Sequence, residues 1–301
     1  MRLNSSKAVR RLGGWAVSGL AGLLLTAYPP DRLPAQTVDQ LAVRLAGMTA
    51  VTGFERAVTD SLLALLPGST RDRAGNVTLT LGRGTPKRLM SCGIDEPGYV
   101  VGNVTDDGYV RLRRVPGAVP APLYDQALEG HRVTLFGDAG AVPGVVAVRS
   151  THLARFRTAA AEPPFTADDA FVDLGATSRV AVERLGIHVL TPVALTKRPL
   201  RYGEHDALLA APRSGERVGC AALVAAVLAQ PQVRGTVVVA FAVQSMYANT
   251  GLRAVEAQQG PFESEQAALL DSRYRVTPVE TVSLAAADSL RRALVVWMEG
   301  K

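Results

Sequence analysis

Apolar and polar residues change their spacing several times along this chain, and each change marks an element. Residues 36–66 carry two helical patterns, broken at TAVTGFE. In the second, Glu55 to Leu65, the residues Val58, Leu62, Leu63 and Leu65 share roughly one side. The turn RAGN leads into the strand VTLTLG, and KRLMSCG reads as a second strand. From Tyr99 to about His152 the pieces are short and β-rich (YVVGNVT, YVRLRRV, RVTLFG, VPGVVAV), divided by Gly, Pro and Asp. Such spacing predicts a small barrel or sandwich. From Phe171 the helix–strand alternation returns. FVDLGA reads as a strand, and TSRVAVERLG as a helix opened by a Thr/Ser cap. VGCAALVAAVLAQP is apolar on all sides and therefore a buried helix. GTVVVAFAVQ is an inner strand, and SLAAADSLRRALVVWMEG a C-terminal helix. The pattern predicts one α/β domain interrupted by a small β domain.

The 301 residues, 48% of them hydrophobic, suffice for one large domain or two smaller ones. The net charge of +6 says little about nucleic acid. Arg2, Lys7, Arg10, Arg11 and Arg32 against Asp31 concentrate most of it in the first 35 residues, and no stretch interleaves basic and aromatic residues. Those residues read as a signal peptide: basic MRLNSSKAVRR, apolar LGGWAVSGLAGLLLTAY, then PPDRLPAQ with Ala35 as a cleavage residue. Export to the periplasm or beyond is the expectation, with membrane attachment only through an uncleaved signal. Cys92 and Cys220 form no zinc-finger or CxxC pattern. They read as two buried small hydrophobes, with a bond between them the other choice in an exported protein.

Catalytic groups in an α/β enzyme gather where inner strands end. The strand ending at Val243 leads to Gln244, Ser245 and Met246, none of them an acid or base. No nucleophile elbow surrounds Ser245, so capping or solvent contact is its expected role. His131, His152, His188 and His205 fall at no metal-ligand spacing, and GEHDALL reads as a surface loop.

Several segments, in order, resemble the co-catalytic di-zinc aminopeptidases of the glutamyl and tetrahedral aminopeptidase type. They are TAVTGFERAVTDSLLALLP, DRAGNVTLTLGRG, the β-rich run from Gly108 to Leu153, FVDLGATSRVAVERLGIHVLTPV and RYRVTPVETVSLAAADSLRRALVVWMEG. The resemblance covers most of residues 40–300. It implies a phosphorylase/hydrolase-like three-layer α/β/α domain with an inserted small β-barrel. The implied division is 1–35 signal peptide, 36–97 plus 169–301 α/β domain, and 98–168 barrel.

That family needs carboxylate and imidazole ligands for two zinc ions and a glutamate to deprotonate water. In the family pattern A-H-x-D-E-x-G the histidine falls on Gly93 of CGIDEPG, while Asp95 and Glu96 remain. The bridging aspartate of D-D-R-x-G-C falls on Gly215 of GERVGC, with Glu216 beside it as a stand-in if the register shifts by one. The glutamate pair of V-Q-E-E becomes Ser245, at the base, and Met246, at a ligand. Between Leu252 and Tyr274 the chain is shortened, and no further aspartate ligand is recognisable there. The last histidine becomes Val276 in RYRVTPVE. A thioether or alkyl group does not replace a hard ligand on zinc.

Two functions follow. The first is an exported pseudopeptidase with no metal, which binds a peptide or protein, or assembles with itself or with an active relative. The second is a zinc-dependent hydrolase with a rearranged site built on Asp95, Glu96 and Glu216. Under the first, Asp95 orients its loop, Glu96 is solvated or paired with an arginine, and Cys92 lines the vacated cleft.

Overall fold

A computed structural model of the chain describes residues 36–116, 121–148 and 164–301. The expected signal peptide and His152 lie outside the described residues. Helix α1 (Val38–Gly47) starts at a capping box in which Thr37 and Gln40 satisfy each other's backbone N–H. Helix α2 (Arg56–Leu65) buries Val58 and Leu62. The short β1 (Thr70–Arg71) and β2 (Val77–Gly82) make a hairpin, and β3 (Lys87–Gly93) runs into the middle of the sheet.

The chain then enters a closed barrel. Its strands are β4 (Gly98–Val104), β5 (Val110–Val115), β6 (Arg132–Gly137), β7 (Gly140–Val146), β8 (Phe171–Asp173) and β9 (Pro192–Leu195). The four-residue helix α3 (Pro122–Asp125) precedes β6, and α4 (Arg179–Arg184), capped by Ser178, precedes β9. The barrel thus continues to Leu195, past the boundary expected at 168. β8 bridges β5 and β7, and β9 pairs with β4 and β6 to close the ring. FVDLGA is indeed a strand, but its apolar pattern does not say which sheet it joins. Tyr99, Leu112, Val133, Leu135, Val172 and Val193 fill the barrel core.

Strands β10 (Leu200–Tyr202) and β11 (Leu208–Ala210) form a small sheet with β14 (Thr281–Ser283). Helix α5 (Ser214–Leu228) follows, buried along nearly all its length as its composition predicts. Then come β12 (Thr236–Ala242), α6 (Thr250–Gln259), β13 (Ser264–Ala267) and the C-terminal α7 (Leu284–Glu299). The main sheet has the order β1-β2-β12-β3-β13, with β12 parallel to β3 and antiparallel to β2.

Period-two alternation on β12 produces the three layers. Val237, Val239 and Phe241 face a core shared with α1, α2, α5 and α7. Val238 and Ala240 face Val255 of α6 in a thin second layer. Arg217 of α5 is fully buried. It donates to the carbonyls of Leu45 and Met48 at the end of α1 and to that of Ile94, so it completes the C-terminus of α1 while fixing the end of β3. Among the described residues no helix is long and apolar enough to cross a membrane.

Candidate functional site

The parallel register of β3 and β12 sets Gly93 opposite Ala242. Both strands end at the same edge, and Ile94 N–H donates to the Ala242 carbonyl at 3.0 Å. The first turn of α5 arrives beside them. This is the crevice at the carboxyl ends of strands where α/β proteins place their chemistry. Gly93, Asp95, Glu216, Ser245 and Met246 come to this region, but not as a convergent set.

Asp95 is fully buried and has no lone pair to spare. Oδ2 accepts from the Thr52 hydroxyl at 2.8 Å and from Met246 N–H at 3.0 Å. Oδ1 accepts from Ser245 N–H at 2.9 Å and from the Ser245 hydroxyl. The carboxylate therefore shapes the turn after β12, which is the loop-orienting role expected of it. Glu96 points elsewhere. Its Oε1 accepts from Ala50 N–H at 3.0 Å, and its Oε2 pairs with Lys197. The partner is a lysine, not the arginine or solvent anticipated. Burial draws the Lys197 ammonium down to about 8, against the opposing pull of Glu96.

At α5, Glu216 pairs with Arg213 at 3.3 Å. Burial pushes the Glu216 carboxyl up, and Arg213 opposes that. Arg213, held at φ 54°, also donates to the Ser245 hydroxyl at 3.1 Å. One network, Glu216–Arg213–Ser245–Asp95, thus spans the crevice with a guanidinium at its centre.

The two glycines at family ligand positions are not open gaps. A Cβ on Gly93 would lie 2.5 Å from Ser245 Oγ, 2.8 Å from Ser245 Cβ and 3.6 Å from Arg213 Nη2. A Cβ on Gly215 would lie 2.9 Å from both Glu280 Oε1 and the Leu270 carbonyl. Glu280, the last residue of RYRVTPVE, is buried and accepts from Gly215 N–H at 2.9 Å and Ser272 Oγ at 2.8 Å. Neither a histidine at 93 nor an aspartate at 215 fits without rearrangement. Met246 is half-buried and contributes its N–H to Asp95. Val276 is exposed and sits at φ 60°, an unfavourable region for a β-branched residue.

Among the described residues no three His, Cys, Asp or Glu side chains converge to hold a metal. His188 pairs with Asp138 and His205 with Glu204, both on exposed loops. The site therefore does not fit a zinc pair: the donors are missing, and their space is taken by Ser245 and Glu280.

Two features carry no signal in the sequence, and in a third the less favoured of two alternatives holds. The first is Arg213, which immediately precedes SGERVGC and carries the only cation in the network just described. The second is Asp271. The shortened segment after α6 forms β13, and Leu270 N–H then donates to the Gly215 carbonyl at 3.2 Å. The segment thus does end in an aspartate near α5, although an exposed one. The third is the Cys92–Cys220 disulfide, with Cα atoms 5.5 Å apart. The two thiols are buried as expected but are bonded, not merely packed. Cys92 precedes Gly93 on β3, and Cys220 lies little more than one turn after Glu216 on α5. The bond therefore ties β3, which ends at Gly93, to α5, which begins beside Gly215.

A family model described as M42 glutamyl aminopeptidase matches residues 75–272. The protein SgcX of Escherichia coli K12 is 31% identical over 194 residues, 62% of this chain and 50% of its own length. The chain spans between half and two thirds of the length of the curated relatives it matches. Among solved structures, the aminopeptidase APDkam598 of Desulfurococcus kamchatkensis superposes with a TM-score of 0.73 at 17% identity, over 88% of this chain and 95% of that one. The Pyrococcus horikoshii TET1 peptidase, described as assembling into a tetrahedron or a large octahedral shell, gives 0.69 at 18% identity, over 87% and 99%. These likenesses establish the shared fold.

Proposed function

The chain belongs to the M42 glutamyl aminopeptidase family, and from that premise we propose that it is an exported, non-hydrolytic member that acts by binding or assembly. The observation that carries this reading is the packing of Ser245 against Gly93, with Arg213 behind it. A site that had merely lost a ligand would leave a hole. Here the base position has turned inward, and a guanidinium supplies the positive charge among the remaining carboxylates. That arrangement offsets the repulsion and desolvation that Asp95 and Glu216 would otherwise suffer.

The rearranged-hydrolase reading gains no support from the same geometry. Asp95 is committed to the turn, Glu96 to Lys197, and Glu216 faces Arg213, so each of the three carboxylates that reading relies on already has a partner. Binding of a peptide or protein, and assembly with itself or an active relative, stay within the proposal. The TET1 peptidase's assembly supports the second of these.

Assay of purified chain against aminoacyl p-nitroanilides, with zinc or cobalt supplied, tests the reading. Background turnover is expected. Metal-dependent release that disappears with Glu216→Ala would overturn it and favour the hydrolase.

A further inference from the structure

A pocket of about 210 Å³ opens between the loop before α2, Arg71 of β1 and the end of β12 at Gln244. None of the family ligand positions lines it. Its acidic member is Glu55, only 5% exposed. Oε1 of Glu55 accepts from Gly53 N–H and Gln244 N–H, both at 2.9 Å. Gln244 adopts φ 50° where it offers that N–H. Glu55's own backbone N–H also faces the carboxylate, no other described residue donates to Oε2, and Glu55 lines the pocket. Phe54, 42% exposed, lines the same pocket. Two arginines also line the pocket, and both face Asp60: Arg71, which donates to the Thr59 hydroxyl at 2.8 Å as well, and Arg56 at 3.8 Å.

A buried carboxylate with one oxygen that no other residue engages, beside an exposed phenylalanine, has the chemistry that holds an ammonium ion. The carboxylate accepts a charge-assisted hydrogen bond, and the ring face attracts the cation. Burial also pushes the Glu55 carboxyl up, so a cation there offsets part of the cost of keeping it ionised. The volume accommodates a group of about one small residue and excludes a folded segment.

We propose that Glu55 and Phe54 form a binding site for a primary ammonium group, presented either by a peptide N-terminus or by a lysine side chain. The site is independent of whether the family chemistry survives next to it. Metal content and turnover report on that chemistry, and neither enters the following test.

The full chain is titrated with alanine amide, with N-acetyl-lysine amide and with N-acetyl-alanine amide while backbone amide NMR shifts are followed. Saturable shifts at Gly53 and Gln244 with alanine amide assign the N-terminal source, and with N-acetyl-lysine amide the lysine source. The acetylated alanine control is expected to leave both unmoved. Glu55→Gln keeps an oxygen for the two N–H donors and is expected to weaken binding about tenfold or more. Phe54→Leu is expected to weaken it roughly threefold. The proposal is overturned if neither ammonium probe moves these amides, if the control binds equally, or if Glu55→Gln binds like the wild type. Should Glu55→Gln not fold, unchanged affinity in Phe54→Leu overturns it.

Discussion

Ser245 occupies the space a side chain on residue 93 would need: a Cβ on Gly93 would lie 2.5 Å from the Ser245 hydroxyl oxygen. Each position therefore limits the other: a side chain at 93 and the Ser245 hydroxyl cannot both keep these places. Gly93→Ala is expected to cost about 1–3 kcal/mol by overpacking. The same change in a Ser245→Gly background is expected to cost clearly less. Urea unfolding of the four proteins measures the coupling, and simple additivity would show that the contact is not tight.

Asp95 should matter for stability. Asparagine in its place can accept fewer of the bonds from Thr52, Ser245 and Met246, and its amide would face at least one donor. Asp95→Asn is expected to lose about 2–3 kcal/mol in denaturant unfolding. A loss within experimental error would remove Asp95 from the account of the turn.

The Lys197–Glu96 pair joins the segment leaving the barrel to the segment entering it. Lys197→Met leaves a buried Glu96 without its cation, at an expected cost of about 3–5 kcal/mol at neutral pH. The pH dependence has a definite sign. Lys197 holds its proton less tightly folded, at about 8, than its ordinary 10.5. Between these values the unfolded chain binds more protons, so this group's contribution to stability rises with pH and is smallest below about 8. Wild type minus Lys197→Met, measured from pH 8 to 10.5, is expected to climb. A flat or falling difference contradicts the burial-driven shift.

The disulfide closes a separation of 128 residues. Unfolded, unreduced protein should show no free thiol, and reduction should release two. Cys92→Ser with Cys220→Ala is expected to lower stability by about 2–5 kcal/mol. Thiols titrating freely before reduction would contradict the bond.

The elements with a strong local period were legible from sequence alone. α5 is apolar on every side, and β12 is a β-branched run between turn residues, so each could be read without its neighbours. The barrel was legible in kind but not in extent. β8 is three residues long, and only its pairing with β5 and β7 makes it a barrel strand. At the site, the flanking pattern puts the ligand positions that the resemblance implies on Gly93, Gly215, Met246 and Val276, and that assignment is a reading of the sequence alone. What surrounds those positions could not be read. Arg213 acts through a long side chain from outside the motif, and Cys92 meets Cys220 only after β3 and α5 have packed. Such contacts depend on three-dimensional placement that no local spacing encodes.

Under the proposed function, a guanidinium and an inturned serine fill the place that the resemblance assigns to two zinc ions. Zinc content of the purified chain, measured by mass spectrometry after zinc loading and desalting, tests it most directly. The account predicts no stoichiometric zinc. About two zinc ions retained per chain, the complement of a co-catalytic site, would contradict it.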